Sequence, residues 1–283
     1  MIAAAAAGLF FISCRELSRN NPYDPASDEY INVTYEGEVT RPAGMAITTM
    51  ILSQGGLVIG GTKDGYGDCV MRLPSPAAET GTFTGISDMC GDTAGNIYIV
   101  DSQPSVQVFT PSDTFLAPLS ITYTAGIDRM YIEFFNGNLF ITNNLDKRIY
   151  KYSTAGAQAG YADISYTASG SFTPGRIFKS SQNMFVINGE KRSEVIKIDE
   201  NMNILDVYDI GAETADGAPR GSLIEVLCSE EVQRTDNSLA LDLRWGNFGT
   251  GPGRVLNGKV IAYNPVDFTV YILDGNTIKM FGE

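Results

Sequence analysis

A short β-rich pattern, closed by glycine, asparagine or aspartate, recurs along this chain at nearly constant intervals. Its closing residues are Gly60, Asp101, Asn143, Asn188 and Asp274, which lie 41, 42, 45 and 86 residues apart in turn. Because the last interval is twice 43, we expect a degenerate repeat inside it, with a strand that ends near residue 231. Residues 222–228 and 238–245 can supply its strands. The chain therefore contains six repeats of about 43 residues between residues 41 and 283.

Each repeat has the composition of a small antiparallel sheet. Residues 85–118 show this best, with strand-like runs at 86–90, 97–100 and 106–109, and a fourth run around Phe115. Clusters of Gly, Asn, Asp and Pro separate the runs. Repeats of this length with four strands are typical of a β-propeller, whose blades pack around a central channel. We therefore predict an all-β fold, a six-bladed β-propeller. An irregular β-sandwich is the alternative, but it has no reason to keep a constant period.

Residues 30–39 alternate apolar and polar side chains ahead of the first repeat. This alternation predicts a single strand that joins the blade made by the C-terminal residues. Such a strand would close the ring and cover an exposed sheet edge.

The individual repeats resemble the NHL family of six-bladed propellers. The second repeat matches at residues 85–86, 92–101 and 106–109, and the third at 137–141 and 148–152. The resemblance covers residues 41–283 as architecture, through turn glycines and core aliphatic residues. It implies the fold and not an activity, because that family contains both binding scaffolds and enzymes.

Composition excludes several kinds of chemistry. The chain has no histidine, which removes Ser-His-Asp and Cys-His catalysis and histidine-ligated zinc. Its net charge of −13 makes nucleic acid an unsuitable partner, because that affinity depends on clustered Lys and Arg. Any catalysis would depend on carboxylates, Lys, Tyr, Cys or an oxygen-bound metal such as calcium.

The N-terminus predicts export. Residues 2–13 are apolar and uncharged and precede Cys14, which suits a signal-peptide core. Residues 11–14 resemble a bacterial lipobox, although Phe11 stands where leucine is usual and no Lys or Arg precedes the apolar run. We expect a lipoprotein-type signal peptide at 1–13, a polar tether at 14–29 and the propeller at 30–283, with lipidation at Cys14. A plain secretory signal and a buried helix are the alternatives.

The other three cysteines, Cys69, Cys90 and Cys228, lack metal-binding spacing. We interpret them as small buried hydrophobic residues. Trp245 is expected in the core, although an exposed binding anchor is the alternative. The segment 199–203 imitates the start of a calcium loop, but Ile204 replaces the required glycine. It predicts a hairpin turn.

Five arginines fall near the expected starts of inner strands, beside Pro, Gly or Asp residues. They are Arg41, Arg129, Arg176, Arg220 and Arg254. Guanidinium groups at a channel mouth would bind an anionic ligand such as a carboxylate, phosphate or acidic glycan. The alternative is structural: each arginine would cover a turn or pair with a blade-end acid such as Asp101, Asp128 or Asp274.

Some six-bladed propellers that resemble the gluconolactonase and regucalcin family hold calcium in the channel and hydrolyse lactones or esters. This chain has suitable oxygen ligands at Asp88, Asp128, Glu133, Asn143, Asn188 and Glu225. No pattern matches that family's ligand set residue by residue, so no metal ligand and no catalytic residue is assigned. We expect no cofactor, with calcium as the one possible exception.

These features together favour a non-catalytic binding protein. We expect an exported, lipid-anchored propeller in the bacterial periplasm or at the cell surface, which contacts the membrane only through its anchor. Its partner would be an envelope protein, a peptide or a glycan, and the chain would be a monomer. The alternatives are a calcium-dependent lactonase- or esterase-like hydrolase and a structural subunit of a larger envelope assembly.

Overall fold

The structure, a computed structural model, describes residues 33–54, 56–74, 79–80, 83–122, 129–167, 170–229, 231–246 and 254–282. These residues form strands and turns without any helix, so no helix in these ranges could cross a membrane. The predicted signal peptide, Cys14 and the whole of the predicted tether lie outside the described residues.

Strand β1 (Thr34–Val39) precedes the first three blades, each of which is a four-stranded antiparallel sheet. Blade 1 consists of β2 (Met45–Ser53), β3 (Gly56–Lys63), β4 (Gly67–Arg72) and β5 (Glu79–Thr80). Blade 2 consists of β6 (Asp88–Gly91), β7 (Ile97–Val100), β8 (Ser105–Phe109) and β9 (Leu119–Ser120). Blade 3 consists of β10 (Met130–Phe135), β11 (Asn138–Asn143), β12 (Arg148–Ser153) and β13 (Gln158–Asp163).

A small hairpin of β14 (Tyr166–Thr167) and β15 (Gly170–Ser171) leads to the last three blades. Blade 4 consists of β16 (Pro174–Lys179), β17 (Met184–Asn188), β18 (Glu194–Ile198) and β19 (Ile204–Asp209). Blade 5 consists of β20 (Thr214–Arg220), β21 (Leu223–Cys228), β22 (Val232–Thr235) and β23 (Leu241–Trp245). Blade 6 consists of β24 (Gly258–Tyr263), β25 (Val270–Asp274), β26 (Thr277–Gly282) and β1.

The first strand of each blade contacts the first strand of the next, and β24 contacts β2. These six inner strands therefore surround one channel, and the prediction of a six-bladed β-propeller is confirmed. The ring is closed as predicted, because β1 pairs antiparallel with β26 from Thr34 opposite Gly282 to Val39 opposite Ile278. The last blade thus combines both ends of the described chain.

The core is divided into six apolar clusters, and each cluster lies between two consecutive blades. A blade is consequently covered on both faces, and its middle strands are apolar on both faces. All four residues of β7 are buried, for example. Cys69, Cys90 and Cys228 are buried and unpaired within this core, as predicted, and Trp245 is also buried.

Aspartate side chains shape several hairpin turns that connect neighbouring strands within a blade. The Asp199 carboxylate accepts the amide protons of Asn201 and Asn203, both at 2.9 Å, and Met202 has a φ of 65°. The predicted hairpin turn at residues 199–203 is therefore confirmed. Asp92 forms the same type of turn in blade 2 by accepting the amide protons of Ala94 and Asn96.

Blade 5 differs from the prediction in register. Its central strand ends at Cys228 rather than near residue 231, and its inner strand is β20. The prediction placed Pro219 and Arg220 at the start of an inner strand, whereas they end one. A proline fits there because one edge of an inner strand faces the channel, so a missing backbone donor breaks no ladder hydrogen bond.

Candidate ligand site in the central channel

A cluster of charged side chains divides the central channel into two cavities. The inner strands start at one face of the disc, where a cavity of about 790 Å³ opens, here called the wide cavity. They end near a cavity of about 180 Å³, called the narrow cavity. Arg176 lines both cavities, so its side chain lies where they meet.

The dividing cluster, called the hub, consists of Arg176, Asp88, Asp216 and Thr49. The guanidinium Nη1 of Arg176 donates to Asp88 Oδ1 at 3.0 Å and to Asp216 Oδ2 at 3.5 Å. The Thr49 hydroxyl donates to Asp88 Oδ1 at 3.3 Å. Both carboxylates are buried, and the ring of Tyr131 lies 5.2 Å from the guanidinium carbon. The hub is thus a buried ion-pair network rather than an open binding group.

The hub connects all six blades. Thr49, Asp88, Arg176 and Asp216 belong to blades 1, 2, 4 and 5. The amide of Ile132 in blade 3 donates to Asp88 Oδ2 at 3.1 Å, and the amide of Ile261 in blade 6 donates to Asp216 Oδ2 at 3.1 Å. Inner strands have amides that face the channel without a strand partner, and the two carboxylates satisfy one such amide each.

Burial raises the pKa of both hub carboxyls, because the channel removes water from their charged forms. For Asp216 the pKa is raised to about 7, although Arg176 acts in the opposite direction. One guanidinium faces two carboxylates, and its hydrogen bond to Asp216 is the longer of the two. Asp216 is therefore the hub group that takes up a proton near neutral pH.

We expect Asp216→Asn to reduce the pH dependence of stability. The folded pKa of about 7 lies above the unfolded value of about 3.9, so the folded chain binds more protons between these pH values. The free energy of unfolding then falls as pH rises from about 4 to about 7, by up to ~1.4 kcal/mol per pH unit. Urea unfolding at pH 5 and pH 8 should show that the variant gains relative to wild type at pH 8. Asp163→Asn, at an exposed position, is the control, and an equal difference at both pH values would contradict the assignment.

The wide cavity is positively charged although the protein is acidic. Its described lining includes the cationic side chains of Arg129, Arg192 and Lys259, all exposed, with Arg176 at its floor. Asp101 is the single carboxylate among the described lining residues. It is buried and accepts the amides of Thr84 and Gln103 at 2.8 Å each. The accessible charge on the described walls is therefore cationic.

The structure separates the five predicted arginines. Arg129 and Arg176 line the wide cavity. Arg220 ends β20 and donates to Glu225 Oε1 at 3.0 Å, which places it at the opposite end of its strand from the predicted position. Arg254 is exposed outside this lining, and its carbonyl accepts a hydrogen bond from Lys279. Arg41 is exposed between β1 and β2 and donates to the Met45 carbonyl at 2.8 Å.

The possible calcium ligands also have separate environments. Glu133 pairs with Lys179 at 2.8 Å, and Glu225 pairs with Arg220 and Arg234. Asn143 and Asn188 accept backbone amides in the turns that follow their strands, and Asp128 lies outside the described residues. No group of three or more Cys, Asp or Glu side chains within the described ranges could hold a metal ion.

Sequence reasoning missed Arg192 and Lys259, which lie in the β17–β18 loop and in β24. In an antiparallel blade, the loop between the second and third strands lies at the same disc face as the start of the first strand. A search for cations in the loops after the second strands, as well as before the first strands, would have found Arg192. No sequence pattern indicated a functional role for Asp216, because a single acidic residue in a short β-rich run is common.

Comparison with known proteins assigns this protein to a structural class through its fold alone. No family model and no curated protein matches the chain. A solved streptogramin B lyase superposes with a TM-score of 0.61 at 12% identity, covering 90% of this chain and 99% of that chain. Glutaminyl cyclase from Myxococcus xanthus superposes with a TM-score of 0.51 at 11% identity, covering 88% and 94%. This protein is a six-bladed β-propeller. Identities this low establish the fold and no activity.

Proposed function

We propose that this chain is an exported, lipid-anchored, NHL-like β-propeller that binds an acidic ligand in its wide cavity without catalysing a reaction. The observation that carries this proposal is the concentration of Arg129, Arg176, Arg192 and Lys259 around one cavity of about 790 Å³ in a protein with a net charge of −13. A cavity of roughly 300–1,000 Å³ suits a small ligand or the end of a larger one. Export and lipidation rest on residues 1–14.

The cations come from different blades, which supports a role in binding a ligand. Arg129 precedes β10 in blade 3, Arg192 follows β17 in blade 4, and Lys259 lies in β24 of blade 6. Like charges directed into one cavity repel each other, and an acidic ligand would relieve that repulsion. Arg176 already pairs with two carboxylates in the hub. Arg129, Arg192 and Lys259 would therefore supply most of the electrostatic attraction for an acidic ligand.

The test uses citrate as a generic polycarboxylate probe in a low-salt buffer. We expect citrate to raise the melting temperature of the wild-type chain, because a ligand that binds only the folded state stabilises it. Arg129→Gln combined with Arg192→Gln should reduce the citrate affinity by about tenfold or more, since two charge-assisted contacts are lost. Isothermal titration calorimetry would measure the affinity directly.

Lys191→Gln is the control for the change at Arg192, because it removes one positive charge one residue away. Lys191 pairs instead with Asp209 at 3.2 Å and with Glu194 at 3.8 Å. We expect this variant to bind citrate as the wild type does. Equal losses in the control and in the double variant, or no stabilisation of the wild type, would contradict the proposal.

A hydrolase is the second candidate, and one observation favours it. Asp216 lines the narrow cavity and its pKa is about 7, which suits a general acid or base at neutral pH. Calcium remains part of this candidate as an expectation from sequence. Lactone or ester hydrolysis by the purified chain that is lost in Asp216→Asn would favour it over the binding proposal.

A further inference from the structure

The walls of the wide cavity contain hydroxyl groups whose protons are already used. The Thr48 hydroxyl donates to the Ile86 carbonyl at 3.1 Å, and the Ser87 hydroxyl donates to the Met130 carbonyl at 2.9 Å. The Ser102 hydroxyl donates to a backbone carbonyl at 2.6 Å. A hydroxyl has one proton and two lone pairs. In this arrangement each of these oxygens has a lone pair left to accept a hydrogen bond from a ligand.

The hydroxyl acceptors of the cavity lie between its cations around the ring. Thr48, Ser87 and Ser102 belong to blades 1 and 2, whereas Arg129 and Arg192 belong to blades 3 and 4 and Lys259 belongs to blade 6, which contacts blade 1. A simple polycarboxylate or phosphate, which only accepts hydrogen bonds, could satisfy the cations but not the hydroxyl oxygens. A matching ligand has more than one anionic group and several donors between them.

The lining also argues against a ligand with much apolar surface. Apolar side chains are few among its described residues, and glycines occupy much of the wall, at Gly85, Gly175, Gly189 and Gly258. A hydroxylated ring exposes little apolar surface and carries donors around its circumference. It therefore fits such a wall better than an acidic peptide, whose donors are limited to one amide per residue.

The hub sets a limit on ligand length. Because Arg176, Asp88 and Asp216 close the channel beneath the cavity, a ligand must enter and leave through the same mouth. A polymer could therefore insert only its end, and the volume of about 790 Å³ suits a short oligomer.

We propose, building on the acidic-ligand function above, that the wide cavity binds a uronic-acid oligosaccharide or the end of such a chain. Carboxylates would bind Arg129, Arg192 and Lys259, and sugar hydroxyls would donate to Thr48, Ser87 and Ser102. Arg176 closes the floor and is held by the two aspartates.

The experiment compares four probes on the full chain by isothermal titration calorimetry: trigalacturonate, triglutamate, citrate and maltotriose. We expect trigalacturonate to bind at least about tenfold more tightly than each of the others, because it alone combines several carboxylates with several hydroxyl donors, whereas citrate has a single hydroxyl group. Ser102→Ala should weaken trigalacturonate binding several-fold and leave citrate binding unchanged. Ser102 is exposed, so this variant should fold, and Ser112→Ala is the control at an exposed serine outside the described lining of this cavity.

The other outcomes separate the two proposals. Triglutamate or citrate binding as tightly as trigalacturonate would overturn the sugar assignment and leave the acidic-ligand function standing. Maltotriose binding as tightly would overturn both, because charge would then contribute nothing. If trigalacturonate fails to bind while citrate binds, only the inference about sugars fails, and if neither binds, both proposals fail. Equal losses in Ser102→Ala and Ser112→Ala would also overturn the assigned acceptor role.

Discussion

Glu225→Ala is expected to lower the free energy of unfolding by about 3–5 kcal/mol, the usual cost of breaking a buried ion pair. The Glu225 side chain is fully buried. Its Oε1 accepts from Arg220 at 3.0 Å and from Arg234 Nε at 2.8 Å, and its Oε2 accepts from Trp245 Nε1 at 3.1 Å. Removal of the carboxylate would leave two guanidinium groups and an indole donor without this acceptor at the contact between blades 5 and 6.

Urea unfolding followed by circular dichroism would measure this loss. Glu225→Gln should fall between the wild type and the alanine variant, because an amide oxygen still accepts hydrogen bonds without the negative charge. Glu200→Ala is the control at an exposed glutamate and should change stability by less than about 1 kcal/mol. If Glu225→Ala proved as mild as Glu200→Ala, the three contacts would not contribute to stability.

Arg176→Met should be similarly severe at pH 8, at about 3–5 kcal/mol, because it leaves Asp88 and Asp216 buried without their cation. The loss should be much smaller at pH 5. Arg176 lowers the pKa of both carboxyls, so its removal raises their folded pKa values further above the unfolded ones. The neutral acids then form at pH 5 without charge burial, and stability falls as pH rises through the folded pKa values.

A rescue variant tests this explanation for Arg176. Arg176→Met combined with Asp88→Asn and Asp216→Asn removes all three charges while it keeps side-chain oxygens for the amides of Ile132 and Ile261. We expect this triple variant to regain most of the stability at pH 8. An Arg176→Met variant that is equally unstable at both pH values, or a triple variant without recovery, would show that the loss comes from packing.

The sequence predicted the ring and its closure because these depend on periodic features. The interval between Asp101 and Asn143 follows from blades of nearly equal size, and the alternation in residues 30–39 suited a half-exposed strand, which became β1. Blade 5 was less predictable because Pro219 resembles a turn residue. Only the three-dimensional position of β20, with one edge facing the channel, makes that proline compatible with a strand.

The site was less predictable than the fold, because a side chain's role depends on which blade it faces across the channel. Arg176 and Asp88 are 88 residues apart in blades that are not neighbours, and no local pattern indicates that they pair. Arg220 lies near a proline and a glycine, as Arg176 does, but it is at the other end of its strand. Arg192 was missed because its loop reaches the cavity mouth only after the hairpin between β17 and β18 forms.

Closure of the ring by β1 also delays the completion of folding during synthesis. Thr34 and its partner Gly282 are separated by 248 residues, so β1 must wait until the end of β26 is synthesised. At roughly 5–20 residues per second, that wait lasts about 12–50 s. During this time β1 has no sheet to join, and the growing blades lack their final neighbour. Throughout this interval the nascent chain has a free strand that could pair with another chain.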